Sequence, residues 1–244
     1  MKIYNGVLEK VSNEDVGTNG VFSVPNEVFK IGNYAFKNCI NLSEINFPNT
    51  ITYIGINAFE GTGIQEVCLP AGLSSIEPCT FENCKELECV FIPDNVTIIK
   101  DATFYKCSKL RNIHIGKNMV EVGNWAFCEC ENLGQLTLPD NVKRIGFAAF
   151  KDCKSLANIS LGNGLKFLGK YSFNNCEKLA EIILPDSLEI VSPEAFENCK
   201  NLKAIHIGLH SNIKDVGCIN KAIKGCDKYE GVVVLENAFC RNNQ

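Results

Sequence analysis

Apolar positions recur along this chain on a fixed grid. Phe36, Phe59, Phe81, Phe104, Phe127, Phe150, Phe173 and Phe196 are spaced by 23, 22 and then 23 residues five times. Counting from each Phe, a Leu usually stands at +6, and branched or long apolar residues follow at +9 and +11, as in Leu136/Leu138 and Ile182/Leu184. A spacing of two is strand periodicity. Pro or Gly at +12 (Pro93, Gly116, Pro139, Gly162, Pro185, Gly208) closes the strand, with turn pairs such as Asp94-Asn95 behind it. A second apolar pair at +15 and +18, such as Val142/Ile145, leads to the next Phe. The segment AFxxCxxL that follows has room for a helical turn or two and no more. Each period therefore predicts one short parallel strand, a turn, an extended bend and a brief helical return.

No such coil buries its apolar side alone, so stacking has to supply the core. The expected fold is a leucine-rich repeat solenoid with 23-residue repeats, built of short parallel strands, extended bends and short helical turns, over residues 21–234. Residues 1–20 are expected to cap it, since Asn5-Gly6 between short apolar runs is a hairpin signal. Residues 235–244 read as a tail or truncated repeat, with Ala238-Phe239 recurring too soon for the period. Three irregularities break the grid. The second repeat is one residue short beside Thr62, and Glu77-Pro78 stands where other repeats have Gly and a variable residue. The stretch from Phe196 to Ile223 is four residues too long, with additions around residues 210–212 and 217–221, expected as surface bulges.

Composition narrows the function. An apolar fraction of 45% with 21% charged residues belongs to a folded chain. A net charge of -4 without a basic run argues against nucleic acid or an anionic membrane as principal partner. The N-terminal stretch lacks the apolar segment of a secretory signal, and no window reaches the length of a membrane span. The expectation is a chain that is cytoplasmic as synthesised and not inserted in a membrane, with non-Sec secretion or delivery into a host cell left open. Of 14 cysteines, eight (Cys39, Cys84, Cys107, Cys130, Cys153, Cys176, Cys199, Cys226) stand three residues after the repeat Phe or its equivalent. Neighbouring coils hold parallel side chains about 5 Å apart, whereas a disulfide needs convergent Cβ atoms about 3.5–4.5 Å apart. These cysteines are read as small buried thiols in a reducing compartment.

If the ladder residues are buried, strand positions +8 and +10 face outward. The candidate protein-binding residues on that face are Glu44, Glu66, Cys68, Cys89, Phe91, His114, Ile183 and His206. Phe91, with two thiols and an imidazole around it, is the most informative, although single exposed apolar residues are common. Tyr53, Trp125, Phe147, Phe167, Tyr171 and Ile190 form a second candidate surface on the bend. A metal site at Cys68, Cys89 and His114, or at Cys128-Glu129-Cys130, lacks the short chelating spacings of zinc sites. A Cys89–His114 nucleophile pair has no identifiable oxyanion donor or orienting group. No phosphate loop or nucleotide fingerprint occurs, so neither a cofactor nor catalysis is expected.

The stretch VKRIGFAAFKDCKSLANISLGNGLKFLGKYSFNNCEKLAEIILPDSLEIVSPEAFENCKNL, with its recurring Ala-Phe, Cys and Pro, resembles the BspA-like class of leucine-rich repeats. The resemblance implies the solenoid fold and a family of surface adhesins, protozoan surface proteins and modules of secreted or host-directed proteins, most without enzymatic activity. The shared residues build the coil, so no catalytic residue is carried over. The resulting expectation is a non-catalytic scaffold that binds a protein or peptide, alone or as the targeting module of a larger protein. A structural or adhesive protein acting by self-association is the alternative, and a thiol enzyme or metal protein the third reading. The oligomeric state stays open.

Overall fold

The structure, a computed structural model, describes residues 1–213 and 217–235, so all but the first residue of the expected tail lies outside the described residues. At the N-terminus, β1 (Lys2–Tyr4) and β2 (Val7–Lys10) form an antiparallel hairpin. Its turn residues Asn5 and Gly6 have φ of 46° and 70°, the left-handed pair that an Asn-Gly hairpin turn requires.

Ten short strands at the predicted strand position make one side of the solenoid. They are β3 (Val21–Ser23), β5 (Glu44–Asn46), β7 (Glu66–Cys68), β9 (Cys89–Phe91), β11 (Asn112–His114), β13 (Gln135–Thr137), β15 (Asn158–Ser160), β17 (Glu181–Leu184), β19 (Ala204–Gly208) and β20 (Gly231–Leu235). Along most of them an inward residue alternates with two outward ones, as in the run exposed, buried, exposed of Gln135, Leu136 and Thr137. The extended bends pair as well, into a second parallel ladder. It comprises β4 (Lys30–Ile31), β6 (Tyr53–Ile54), β8 (Ser75–Ile76), β10 (Ile98–Ile99), β12 (Glu121–Val122), β14 (Arg144–Ile145), β16 (Phe167–Leu168) and β18 (Ile190–Val191). The hairpin strand β2 pairs with β4, so the cap seats on this ladder's first edge.

The two ladders differ in continuity. The second runs as β1-β2-β4-β6-β8 and β10-β12-β14-β16-β18, with one interruption. The closest approaches are made at glycines, although Glu77 and Ser192 at the same position still bond to the preceding coils. A Cβ on Gly146 would lie 2.7 Å from the Asn124 nitrogen and from the Gly123 carbonyl carbon, a clash with unyielding backbone. Glu77 and Lys100 occupy this glycine position in the two coils on either side of the interruption, and their side chains meet across it at 2.6 Å. The first ladder is cut three times, into β3-β5, β7-β9-β11, β13-β15 and β17-β19-β20.

The helical return takes the form of successive turns. Lys37 N–H donates to Tyr34 O at 3.1 Å and Cys39 N–H to Phe36 O at 2.9 Å. Between these turns, residues two before and two after the repeat Phe are left-handed, including Tyr34, Asn38, Trp125, Glu129, Tyr171 and Asn175. That alternation aims every second N–H at the next coil, as with Trp125 to Phe147 O at 2.8 Å, Phe127 to Ala149 O at 2.8 Å and Glu129 to Lys151 O at 2.8 Å. The return is thus a third coil-to-coil ladder.

Inside, the repeat phenylalanines are fully buried and stack as one column, with Phe127 and Phe150 at 5.3 Å and 4° between ring planes. Beside them Cys153 Sγ donates to the Phe127 carbonyl at 3.1 Å, and Cys107, Cys130, Cys176 and Cys199 repeat the bond with Phe81, Phe104, Phe150 and Phe173. Thr62 fills the cysteine position in the short repeat and meets Cys84 Sγ at 3.3 Å. The second part of the C-terminal insertion corrects an expectation: it is not a surface bulge. Residues Gly217–Ala222 form α1, which buries Ile219 and Ala222, and the Ala222 carbonyl accepts the Phe196 N–H at 2.8 Å. The added residues are absorbed because the helix supplies both a core contact and the acceptor that the next coil owes Phe196.

Candidate recognition face

The outward positions of the first ladder carry the eight candidate protein-binding residues named from the sequence, but not on one continuous sheet. Glu66, Cys68, Cys89, Phe91 and His114 come together on β7, β9 and β11, in the register Glu66–Cys89–Asn112 and Cys68–Phe91–His114. Glu44 lies on the separate β3-β5 pair, and Ile183 and His206 face each other in register on β17 and β19.

The Phe91 side chain is 44% exposed. Its ring stacks on the His114 imidazole with centroids 4.3 Å apart and planes 9° from parallel. In-register parallel strands hold side chains about 4.8 Å apart, so the stack follows from two planar residues at the same position of adjacent coils. Partial burial and then the neighbouring Glu66 carboxylate push the Cys89 thiol up, away from the thiolate a nucleophile needs. The His114 ring is engaged with Phe91, whose register position is two residues from that of Cys89. The Cys89–His114 nucleophile hypothesis therefore finds no support in the geometry.

Four coils on, a second patch forms. Ile183 is 57% exposed, and His206 Nε2 lies 3.1 Å from the Glu181 carboxylate of the preceding strand. Val233, in register with His206 on β20 and 41% exposed, joins it. Val233 is absent from the candidates named from the sequence, although it falls inside the expected solenoid of residues 21–234. Counting ten residues from Ile223, the Phe equivalent beyond the insertion, would have found it.

The second candidate surface divides in two. Tyr53, Phe167 and Ile190 lie outward on the second ladder, where the Arg144 guanidinium covers the Phe167 ring at 4.5 Å. Trp125, Phe147 and Tyr171 belong to the return and make an edge-to-face run, with centroids 5.2 and 5.7 Å apart. Flanking charges are largely matched coil to coil, as in Lys109–Glu86 and Lys154–Glu131, both at 2.6 Å.

Thiol chemistry is subdued in the interior. Burial pushes the Cys84 thiol up to about 11 and Cys128 to about 12, and it raises Cys107, Cys130, Cys153 and Cys176 as well. Among the described residues no three His, Cys, Asp or Glu side chains converge on a point that could hold a metal ion, and the described cysteines other than Cys218 are free of disulfides. No described helix is long and apolar enough to cross a membrane.

Comparison with known proteins follows the architecture. Six copies of the BspA type leucine rich repeat region match residues 19–134 and 121–239. No curated protein matches the chain. Among solved structures, a leucine rich cell surface protein of Faecalibacterium prausnitzii is similar at 19% identity and a TM-score of 0.47, over 89% of this chain and 79% of that one. A leucine-rich repeat protein of Eubacterium ventriosum is similar at 18% identity and 0.49, over 90% and 82%. The T. pallidum leucine rich repeat protein gives 20% and 0.44, over 88% and 86%. The matched repeats span most of the sequence, and the columns they specify are the ones that stack in the core: the chain belongs to the BspA type leucine-rich repeat family.

Proposed function

We propose that this solenoid is a non-catalytic recognition scaffold that binds a protein or peptide on the outward face of its first ladder. The observation that carries the reading is the exposed Phe91–His114 stack, held on three hydrogen-bonded strands and flanked by Glu66, Cys68 and Cys89. An aromatic fixed in place loses little conformational entropy on binding, which suits an anchor residue. Glu44 and Glu66 favour a neutral or basic partner surface at the N-terminal end of the face. Within a larger protein, the same face would act as a targeting module.

A photoreactive phenylalanine analogue at position 91 tests the assignment in native extract. A discrete polypeptide cross-link, lost when Glu66→Lys is added and absent with the analogue at the exposed position 190 on the second ladder, is expected. Equal labelling from both positions would remove Phe91 from the contact. Self-association is the second reading, favoured by the exposed Ile183 and Val233 on the two strands that flank β19 in the C-terminal patch. Sedimentation that shows a single monomeric species up to high concentration eliminates it.

A further inference from the structure

The cysteine column changes character at its end. Its members from Cys39 to Cys199 are buried, whereas Cys226 is half-exposed. Cys199 and Cys226 keep the column's bond to the preceding coil, Cys199 Sγ donating to Phe173 O and Cys226 Sγ to Phe196 O, both at 3.0 Å. The two sulfurs also hydrogen-bond to each other. Along the column this sulfur-to-sulfur bond occurs at the last step alone. The insertion accounts for the difference, since Cys226 follows Cys199 by 27 residues instead of 23 and α1 lies between them.

Stacked coils hold equivalent Cα atoms about 4.8 Å apart, inside the range of about 4.4–6.8 Å that a disulfide spans. What prevents bridging within the column is direction, because its buried thiols lie parallel and cannot turn. Cys226, half-exposed, has room to turn toward its neighbour. The bond from Cys199 holds the Cys226 thiol below the ordinary cysteine range, against its burial and the carboxylates of Asp227 and Glu197. Thiol exchange needs a thiolate that small molecules can reach and a second thiol beside it. Cys226 and Cys199 meet both conditions. Cys68, exposed as well, stands in register with Phe91 and not with a thiol.

We infer that Cys199 and Cys226 form a redox clasp: exchange with a low-molecular-weight disulfide joins them reversibly and fastens the coil of β20 to the cysteine column. The Cys226 thiolate attacks one sulfur of the small disulfide, whose S–S bond breaks and releases a small thiolate. Cys226 is then bonded to the other half of the small molecule. Cys199 gives its proton to the released thiolate and attacks Cys226 Sγ, expelling the second half, which takes up the proton that Cys226 first lost. Two protein thiols are oxidised and one small disulfide is reduced to two thiols. The bridge closes a ring around the insertion and α1. Because β20 begins five residues beyond Cys226, the strand that carries Val233 to the C-terminal patch is held more firmly when the clasp is shut.

The test equilibrates the full chain with mixtures of reduced and oxidised glutathione at about pH 8, quenches with acid, alkylates the remaining thiols and maps disulfides by mass spectrometry. A Cys199–Cys226 bridge that accumulates as the oxidised share rises, and is lost on adding dithiothreitol, is expected. Cys199→Ala should replace the bridge with a lasting glutathione adduct on Cys226, and Cys226→Ser should leave Cys199 unmodified. Hydrogen exchange of the β20 amides should slow in the bridged chain while that of β13 stays the same. A wild-type chain that holds glutathione on Cys226 without bridging overturns the inference. So does a bridge from Cys226 to any other cysteine, or bridging between Cys176 and Cys199 to the same extent. Unchanged β20 exchange in the bridged chain would refute the fastening of the coil.

Discussion

Between residues 98 and 191 the same coils carry two ladders with opposite habits. The second ladder runs unbroken through β10, β12, β14, β16 and β18, while the first is cut on both sides of β13-β15. Coil-to-coil cohesion therefore concentrates on the side of the bends and returns. Gly123, Gly146 and Gly169 let the bends close, with Gly146 N–H reaching Val122 O at 2.8 Å. On the first ladder both cuts follow a glycine coil, Gly116 or Gly162, and precede a proline coil, Pro139 or Pro185. A Cβ on Gly162 would lie 2.5 Å from the Pro139 carbonyl oxygen, so a glycine coil settles closely onto the proline coil before it. The following proline offers a ring and no N–H in return. The lesson is a division of labour: one wall holds the stack together, which leaves the other free to vary its spacing and its outward residues.

The largest test of the cohesive wall is alkaline. Cys84, Cys107, Cys130, Cys153, Cys176 and Cys199 are fully buried, and their thiols are pushed up, Cys199 first by its hydrogen bond with Cys226 and the others by burial. Below the unfolded thiol value of about 8.5 both states are protonated and nothing is lost. Above it the unfolded chain ionises while the folded ladder does not, so stability falls as pH rises toward the folded values. The slope is about 1.4 kcal/mol per pH unit per thiol, on the order of 7 kcal/mol per unit for the five raised by burial, while the bond that raises Cys199 lowers Cys226 and the pair largely offsets itself. Urea unfolding in reductant between pH 7.5 and 10 reads it directly. Cys153→Ala should lower the slope by one proton equivalent, and a flat profile would mean that the thiols are not buried.

Next in size is the phenylalanine column. Phe127→Ala or Phe150→Ala should cost about 3–5 kcal/mol by opening a cavity in a stacked column. Phe91→Ala, outward on the opposite wall, should stay within about 0.5 kcal/mol. Equilibrium denaturation compares the two, and similar losses would erase the distinction between column and face.

How far the sequence reached follows the same line. Columns, strand positions and the outward assignment of Phe91, His114, Ile183 and His206 were legible because burial of a repeated side chain imposes its period on the chain. The second ladder was hidden because a pair such as Arg144–Ile145 is too short to show alternation. Left-handed φ at Trp125 and Tyr171 left no mark, since neither is a residue that favours it. The Phe91–His114 stack depends on ring angles, which no one-residue pattern encodes, and the Gly-then-Pro order that accompanies the two cuts beside β13-β15 reads in the sequence only as a strand stop. Val233 was missed because the insertion displaced the count.

Third comes the closing of the bends. Gly146→Ala puts a methyl group into the backbone of the preceding coil and should cost about 1–3 kcal/mol as overpacking. Ser160→Ala on the outward face of the first ladder should change stability by less than about 0.5 kcal/mol. Thermal unfolding of both variants ranks the walls, and a Gly146 variant as stable as wild type would show that the second ladder tolerates an opening anywhere, as it does at Glu77 and Lys100.

The smallest expected effect carries a sign that only the return's geometry explains. Ala102 has φ of 53° and is half-buried, and its N–H reaches Asn124 O at 2.8 Å. A left-handed alanine costs about 1–2 kcal/mol, while glycine surrenders about 0.5–1 kcal/mol of extra chain entropy. Ala102→Gly should therefore stabilise by about 0.5–1 kcal/mol. Ala126, fully buried and next to Phe127, is not among the left-handed residues. The same substitution there loses a buried methyl and should destabilise by about 1 kcal/mol. Paired urea titrations give the two signs. If both alanines respond alike, the left-handed returns are not what aims alternate N–H groups at the next coil, and cohesion would have to come from the columns alone.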